Sequence, residues 1–173
     1  SVCPIGPGGS IPGGTVFGGR WIPPDGKGGG EYFADKWNFA QCNCTSYAAN
    51  RINMNGIAFN NSSFGQHWGN GEHWATAAQA ADIPVDESPA AGSIAQWNVD
   101  EIDGGHGHVA YVEHVSKNTD GSVRSIVISE YNMTLYSYTD PLPTLKPGDA
   151  HYPPRFIHFE QLRVNGNIGW FPP

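Results

Sequence analysis

Two runs near the middle of the chain constrain its fold most. His108 to Val115 and Val123 to Glu130 are rich in β-branched and aromatic residues, and Asn118-Thr119-Asp120-Gly121 between them is a turn signal. The pattern predicts a β-hairpin, which commits this part of the chain to an antiparallel sheet. Side chains alternate along a strand, so His108 shares a face with Ala110, Val112 and His114, and Glu130 shares one with Ile128 and Ile126. Burying those apolar residues together favours pairing 108 with 130, 110 with 128 and 112 with 126. That register needs an odd-numbered loop or a bulge, for which Gly121 can supply a positive φ. A plain four-residue turn would instead set 108 against Tyr131.

Upstream the pattern is helical. Asn43 to Arg51 reads as a helix with Asn43 as N-cap, its side chain accepting a first-turn N–H. Tyr47, Ala48, Arg51 and Ile52 recur at helical spacing, which predicts one apolar and one polar side. The helix should run to about Asn53, with Asn55-Gly56 as its stop. A second helix is expected over Trp74–Ala81, after a polar, glycine-broken stretch from Phe64 to Trp74 that reads as a surface loop. Residues 31–40 read as a short helix or an irregular lead-in, and 84–93 as a turn-rich link. Ile94–Trp97, Tyr136–Tyr138 and Arg155–Phe159 read as shorter strands. Helices followed by an antiparallel sheet make an α+β fold, N-terminal helices packed on the sheet.

At 173 residues the chain suits a single core without staples. Residues 1–30 hold eleven glycines and five prolines, an irregular arm wrapped over the domain and tied by Cys3, or a loose tail. Residues 31–173 form the remaining unit, with no repeat or internal boundary. A formal charge of −7 argues against nucleic acid or an anionic membrane as main partner. No apolar run approaches a membrane span, and no charged-then-apolar leader precedes Ser1, so the sequence reads as a mature chain or a segment of a longer one. It is expected to act as a monomer. Three cysteines suggest one disulfide, with Cys3 and Cys42 the natural pair and Cys44 left free, provided the compartment is oxidising.

Cys44 would open the helix, where the positive end of the dipole favours the thiolate that attacks a carbonyl carbon. Such a nucleophile needs a base and a group to orient it. His108 begins a strand after the loop of Gly104, Gly105 and Gly107, and Glu130 ends the partner strand, so the two can meet. A metal reading uses Cys42, Cys44, His106 and His108, with His67 or His73, as zinc ligands; its C-x-C spacing is tighter than the usual C-x₂₋₄-C. Asp25, Glu31 and Asp35 lack the density of a calcium loop. Glycosylation sequons at Asn43, Asn60, Asn61 and Asn132 would crowd the site at Asn43 or Asn132, which favours a bacterial or phage source.

At these residues the sequence resembles the CHAP family, the cysteine, histidine-dependent amidohydrolases/peptidases. The resemblance runs from Gln41 to Phe159. It rests on Asn-Cys-Thr-Ser-Tyr at 43–47, Trp-Gly-Asn at 68–70 with Trp74, Pro-Ala-Ala-Gly-Ser-Ile-Ala at 89–95, Gly-His-Val-Ala-Tyr-Val at 107–112, Ser-Glu-Tyr-Asn at 129–132 and Phe-Ile-His-Phe at 156–159. It implies a papain-like α+β fold and a secreted or cell-surface hydrolase of peptidoglycan amides, working without cofactor or metal. Cys44 is carried over as nucleophile, His108 as base and then acid, and Glu130 as the orienting residue. Asn132 resembles a further polar position, and the Cys44 N–H an oxyanion donor, with Gln41 a candidate second. Trp68, Asn70, His73 and Trp97 are expected to line the groove. The scissile bond would be the muramoyl–alanine amide or a peptide bond of the stem or cross-bridge. Two other readings stand beside it: a domain that only binds wall peptides or a partner, and an amidase acting on a small peptide-like conjugate.

Overall fold

The computed structural model describes residues 35–40, 43–102, 105–131 and 142–162. The N-terminal arm, Cys3, Gln41, Cys42, Asn132 and the expected strand at 136–138 lie outside them. Helix α1 spans Cys44–Met54 and α2 Trp74–Ala80. The strands are β1 (Val85–Asp86), β2 (Ile94–Trp97), β3 (His108–Lys117), β4 (Val123–Ser129), β5 (Thr144–Leu145) and β6 (Arg155–Ile157). They form one antiparallel sheet in the order β1-β6-β2-β3-β4-β5. The expected α+β arrangement is the observed one. The two outermost strands escaped the sequence reading because a two-residue strand carries no alternation to detect.

Both faces of the sheet are covered. Ile94, Val109, Tyr111 and Ile157 pack with Tyr47, Ala48 and Ile52 of α1 and with Trp74, Ala77 and Ala78 of α2. On the other face Ala95, Trp97, Ala110, Val112, Ile126, Ile128 and Phe156 make a second cluster. The stretch from Phe64 to Trp74 is not a simple surface loop. Its two tryptophans are fully buried, and with Phe39, Phe59 and Phe159 they build an aromatic cluster around Phe59, whose ring lies 5.0 Å from those of Trp68 and Phe159. Glycines and polar residues hid this, because the tryptophan N–H groups are satisfied by loop carbonyls, Trp68 bonding Ser63 and Trp74 bonding Gly69.

Helix α1 departs from the expected two-sided pattern. Thr45 to Ile52 are all buried, Asn50 and Arg51 included. Its polar side chains are accommodated by partners inside the protein. Ser46 donates to Asp35 at 2.5 Å, and Asp35 also accepts from the backbone of Trp37 and Phe39, tying residues 35–39 to the first turn. Arg51 pairs with Glu113 of β3, donates to the Tyr47 hydroxyl and lies 3.9 Å above the Tyr111 ring. Asn43 does occupy the N-cap with extended backbone, but its side chain makes no capping hydrogen bond.

Beside the site the hairpin keeps its faces while changing its register. Val112 pairs with Ile128 and Tyr111 with Ser129, and one further step sets Ala110 level with Glu130. The shift from the expected 112–126 pairing is two residues, and an even shift leaves His108, Ala110, Val112, Ile128 and Glu130 on the expected face. The turn is odd, five residues between Lys117 and Val123, with Gly121 at φ +90°. The two irregularities offset each other, Glu113 being extra on β3 and Arg124 on β4, so the turn sets the register at the site; between them parity is reversed, and His114, expected beside Val112, is exposed opposite Val127.

At the β1–β6 edge, buried His158 bridges two carboxylates, Nε2 to Asp86 at 2.7 Å and Nδ1 to Glu160 at 2.9 Å. The Glu160 bond raises its pKa, burial opposes this, and the Asp86 bond adds to the rise, to about 9. A raised histidine pKa adds stability that is complete below its unfolded value near 6.5 and is lost as pH climbs through about 9. The melting temperature should therefore fall between neutral and alkaline pH, and fall less steeply in His158→Gln. Parallel melting curves for the two proteins would remove His158 as the cause.

Candidate active site

Three elements bring the expected residues together: the start of α1, the start of β3 and the end of β4. Cys44 is the first residue of α1, half-buried, and a free thiol. His108 opens β3 and is buried, and Glu130 follows the last residue of β4, also buried. His108 Nε2 lies 2.8 Å from Glu130 Oε2. On its other side the ring interacts with Cys44, and since Nε2 faces Glu130, Nδ1 is the nitrogen left for the thiol. The carboxylate is thus a diagonal neighbour of the histidine, reached because the even register shift kept both on one face.

Burial of the His108 ring works against its charge. The adjacent Cys44 thiolate and Glu130 carboxylate outweigh that effect and lift its pKa to about 10. Burial pushes Glu130 upward, with the imidazolium pulling it back. A thiol, an imidazole that holds its proton across the neutral range and a carboxyl group at its far nitrogen therefore stand in one row.

The loop on which His108 sits is tightly fitted. Gly107 has φ +68°, and a Cβ there would lie 2.6 Å from both the Glu72 nitrogen and the Trp97 carbonyl oxygen. Gly107→Ala should thus strain the backbone and push His108 from the thiol, lowering kcat by on the order of a hundredfold at little change in fold. Steady-state turnover and circular dichroism of that variant check this; unaltered turnover would show that the loop has slack.

The expected groove residues divide. Trp68 is core, as described, and Trp97 is also buried, its ring 5.4 Å from that of His108. Trp68 stands among glycines that let the backbone close over it, whereas Trp97 ends a strand whose four residues are all buried. Asn70 and His73 are exposed, on the turn that packs against His108; Asn70 approaches His106 at 3.5 Å and His73 approaches Glu72 at 3.3 Å. Among the described residues no three of His, Cys, Asp or Glu gather as a metal site. Sequence reasoning missed buried Gln96, which supports the same turn. Its only signal was an amide at a core-facing position of a short strand.

A cysteine at a helix start, facing a histidine–carboxylate pair on an antiparallel sheet, is the arrangement of papain-like α+β proteins. The chain belongs to the CHAP domain family, which matches residues 34–132. It is similar to the staphylococcal secretory antigen ssaA2 of Staphylococcus aureus, 40% identical over 89 residues that cover 51% of this chain and 27% of the antigen. It is also similar to the Probable autolysin LDP of the same species, 34% identical over 114 residues, 66% of this chain and 36% of the autolysin. Among solved structures, an N-acetylmuramoyl-L-alanine amidase from Staphylococcus aureus matches with a TM-score of 0.51 and 28% identity, over 68% of this chain and 30% of the amidase. The chain thus spans about a quarter to a third of the length of these proteins. Among the described residues no helix is long and apolar enough to cross a membrane.

Proposed function

We propose that the chain is a cysteine-dependent hydrolase of peptidoglycan amides, acting at the cell wall or outside the cell. The observation that carries this is the row Cys44, His108, Glu130 at the mouth of α1. The names of its relatives, an autolysin and a muramoyl-alanine amidase, point to the same substrate class. Cys44 Sγ attacks the amide carbonyl carbon, and the negative oxygen is met by first-turn N–H groups of α1, which lack intrahelical acceptors. Collapse breaks the C–N bond as His108 gives its proton to the departing amine, leaving a thioester. His108 then takes a proton from water, whose oxygen displaces Cys44 and releases the new carboxylate. Glu130 holds the ring through Nε2. Asn70 and His73, exposed on the turn beside His108, are the candidates for contact with substrate.

Two bonds fit this chemistry, the muramoyl–alanine amide and a peptide bond in the stem or cross-bridge. Mass spectrometry of digested peptidoglycan separates them, since the first leaves a free lactyl carboxylate and an intact stem, and the second a new carboxylate and amine within the peptide. Absence of either product from wall of any composition would count against the reading and favour a binding domain. The pH dependence offers a further check. Turnover needs the His108 proton, so it should decline as pH rises through about 10. In Glu130→Gln one of the charges that lifts His108 is gone, and the decline should begin at lower pH, with turnover reduced but not abolished.

A further inference from the structure

Gln96 sits in the middle of β2, fully buried, between Arg155 of β6 and Val109 of β3. A buried amide at the centre of a sheet is costly unless its groups are paired. Here they are. Arg155 Nη1 donates to Gln96 Oε1 at 2.8 Å, and Arg155 is itself gripped by both oxygens of Glu101, at 2.8 and 2.9 Å. The guanidinium can only donate, so the amide orientation is unambiguous and Nε2 must point the other way. It donates to the Gly71 carbonyl at 3.0 Å and lies within 3.4 Å of the Glu72 and Trp97 carbonyls.

The Gly71 and Glu72 carbonyls belong to the turn that touches His108. Gly71 lies so close to His108 that a Cβ on it would sit 2.9 Å from the His108 nitrogen and 3.0 Å from its Cα. The Glu72 N–H donates to the His106 carbonyl at 3.0 Å, fastening the same turn to the loop before β3. A line of contacts therefore runs from Glu101 through Arg155 and Gln96 to Gly71 and the His108 backbone.

We infer that Gln96 is a positioning residue for His108, acting through the Gly71–Glu72 turn, an inference that rests on His108 serving Cys44 as proposed above. Gln96→Met keeps the volume and loses the hydrogen bonds, while Gln96→Glu sets a carboxylate against carbonyl oxygens. Either change lets the turn lift and the ring drift from the thiol. Misplacement of about an ångström costs on the order of a hundredfold in rate, so kcat should fall about ten- to a hundredfold with KM nearly unchanged.

A readout independent of substrate is alkylation of Cys44 by iodoacetamide in mildly acidic buffer, where reaction depends on the imidazole held beside the sulfur. It should slow by a similar factor in Gln96→Met and less in Arg155→Met, which removes the anchor of Gln96 and serves if the first variant does not fold. Alkylation of urea-unfolded protein should be equal in all. Wild-type alkylation and kcat in folded Gln96→Met, even at a lowered melting temperature, would overturn the inference and leave Gln96 a packing residue. If folded wild type cuts no peptidoglycan yet alkylation still responds to Gln96, the positioning role stands and only the hydrolase proposal falls.

Discussion

Cys44→Ala should lose hydrolysis by ~10⁴-fold or more, to the level at which only binding and oxyanion contacts act. The proposed acyl-enzyme would form on Cys44, which alone among the described residues is a thiol and sits against His108. Cys42→Ser should behave differently. Cys42 is proposed to pair with Cys3, so its loss would withdraw the ~3–4 kcal/mol that closing such a loop supplies in the chain-entropy model, without touching the chemistry. Turnover of both variants, alongside urea unfolding, separates the roles. Equal loss of activity at equal stability would overturn the assignment and return the zinc reading to consideration. By the same reasoning an alkylating agent should inactivate the enzyme and a chelator should not.

The second large effect lies behind the site. Glu113→Ala would strand fully buried Arg51, which otherwise faces Glu113 with two nitrogens, Nη2 to Oε2 at 3.2 Å. Breaking a buried pair from one side costs about 3–5 kcal/mol, a large part of the roughly 5–15 kcal/mol that holds a domain folded. The Ser129 hydroxyl, which donates to Glu113 at 2.7 Å, would lose its acceptor as well. Removing both charges at once, as Arg51→Met with Glu113→Leu, should restore much of the loss, because the cost lies in the uncompensated ion. Chemical unfolding of the two variants beside the wild type measures this. A single-variant loss below about 1 kcal/mol would mean that the pair behaves like a surface one. Because this pair joins α1 to β3, the same variants should also loosen Cys44 against His108.

The class of fold, the hairpin and the identity of the Cys44, His108 and Glu130 set were legible in the chain, because strand alternation, a turn signal and a helix start are local patterns. Even the shared face of His108 and Glu130 was readable, since parity survives any even shift of register. The tertiary structure alone decided the register itself, through the five-residue turn, and turned His114 outward through the extra residue at Glu113. It also decided that polar Arg51, Asn50 and Gln96 are interior while Trp68 and Trp97 are core. Nothing in a local pattern says that an arginine on a helix will find a glutamate 62 residues away, or that a strand glutamine will hold a turn 25 residues upstream. Hydrophobicity sorts residues by what they prefer in isolation; burial of a polar group depends on a partner, and partners far apart in sequence are chosen only when the chain has folded.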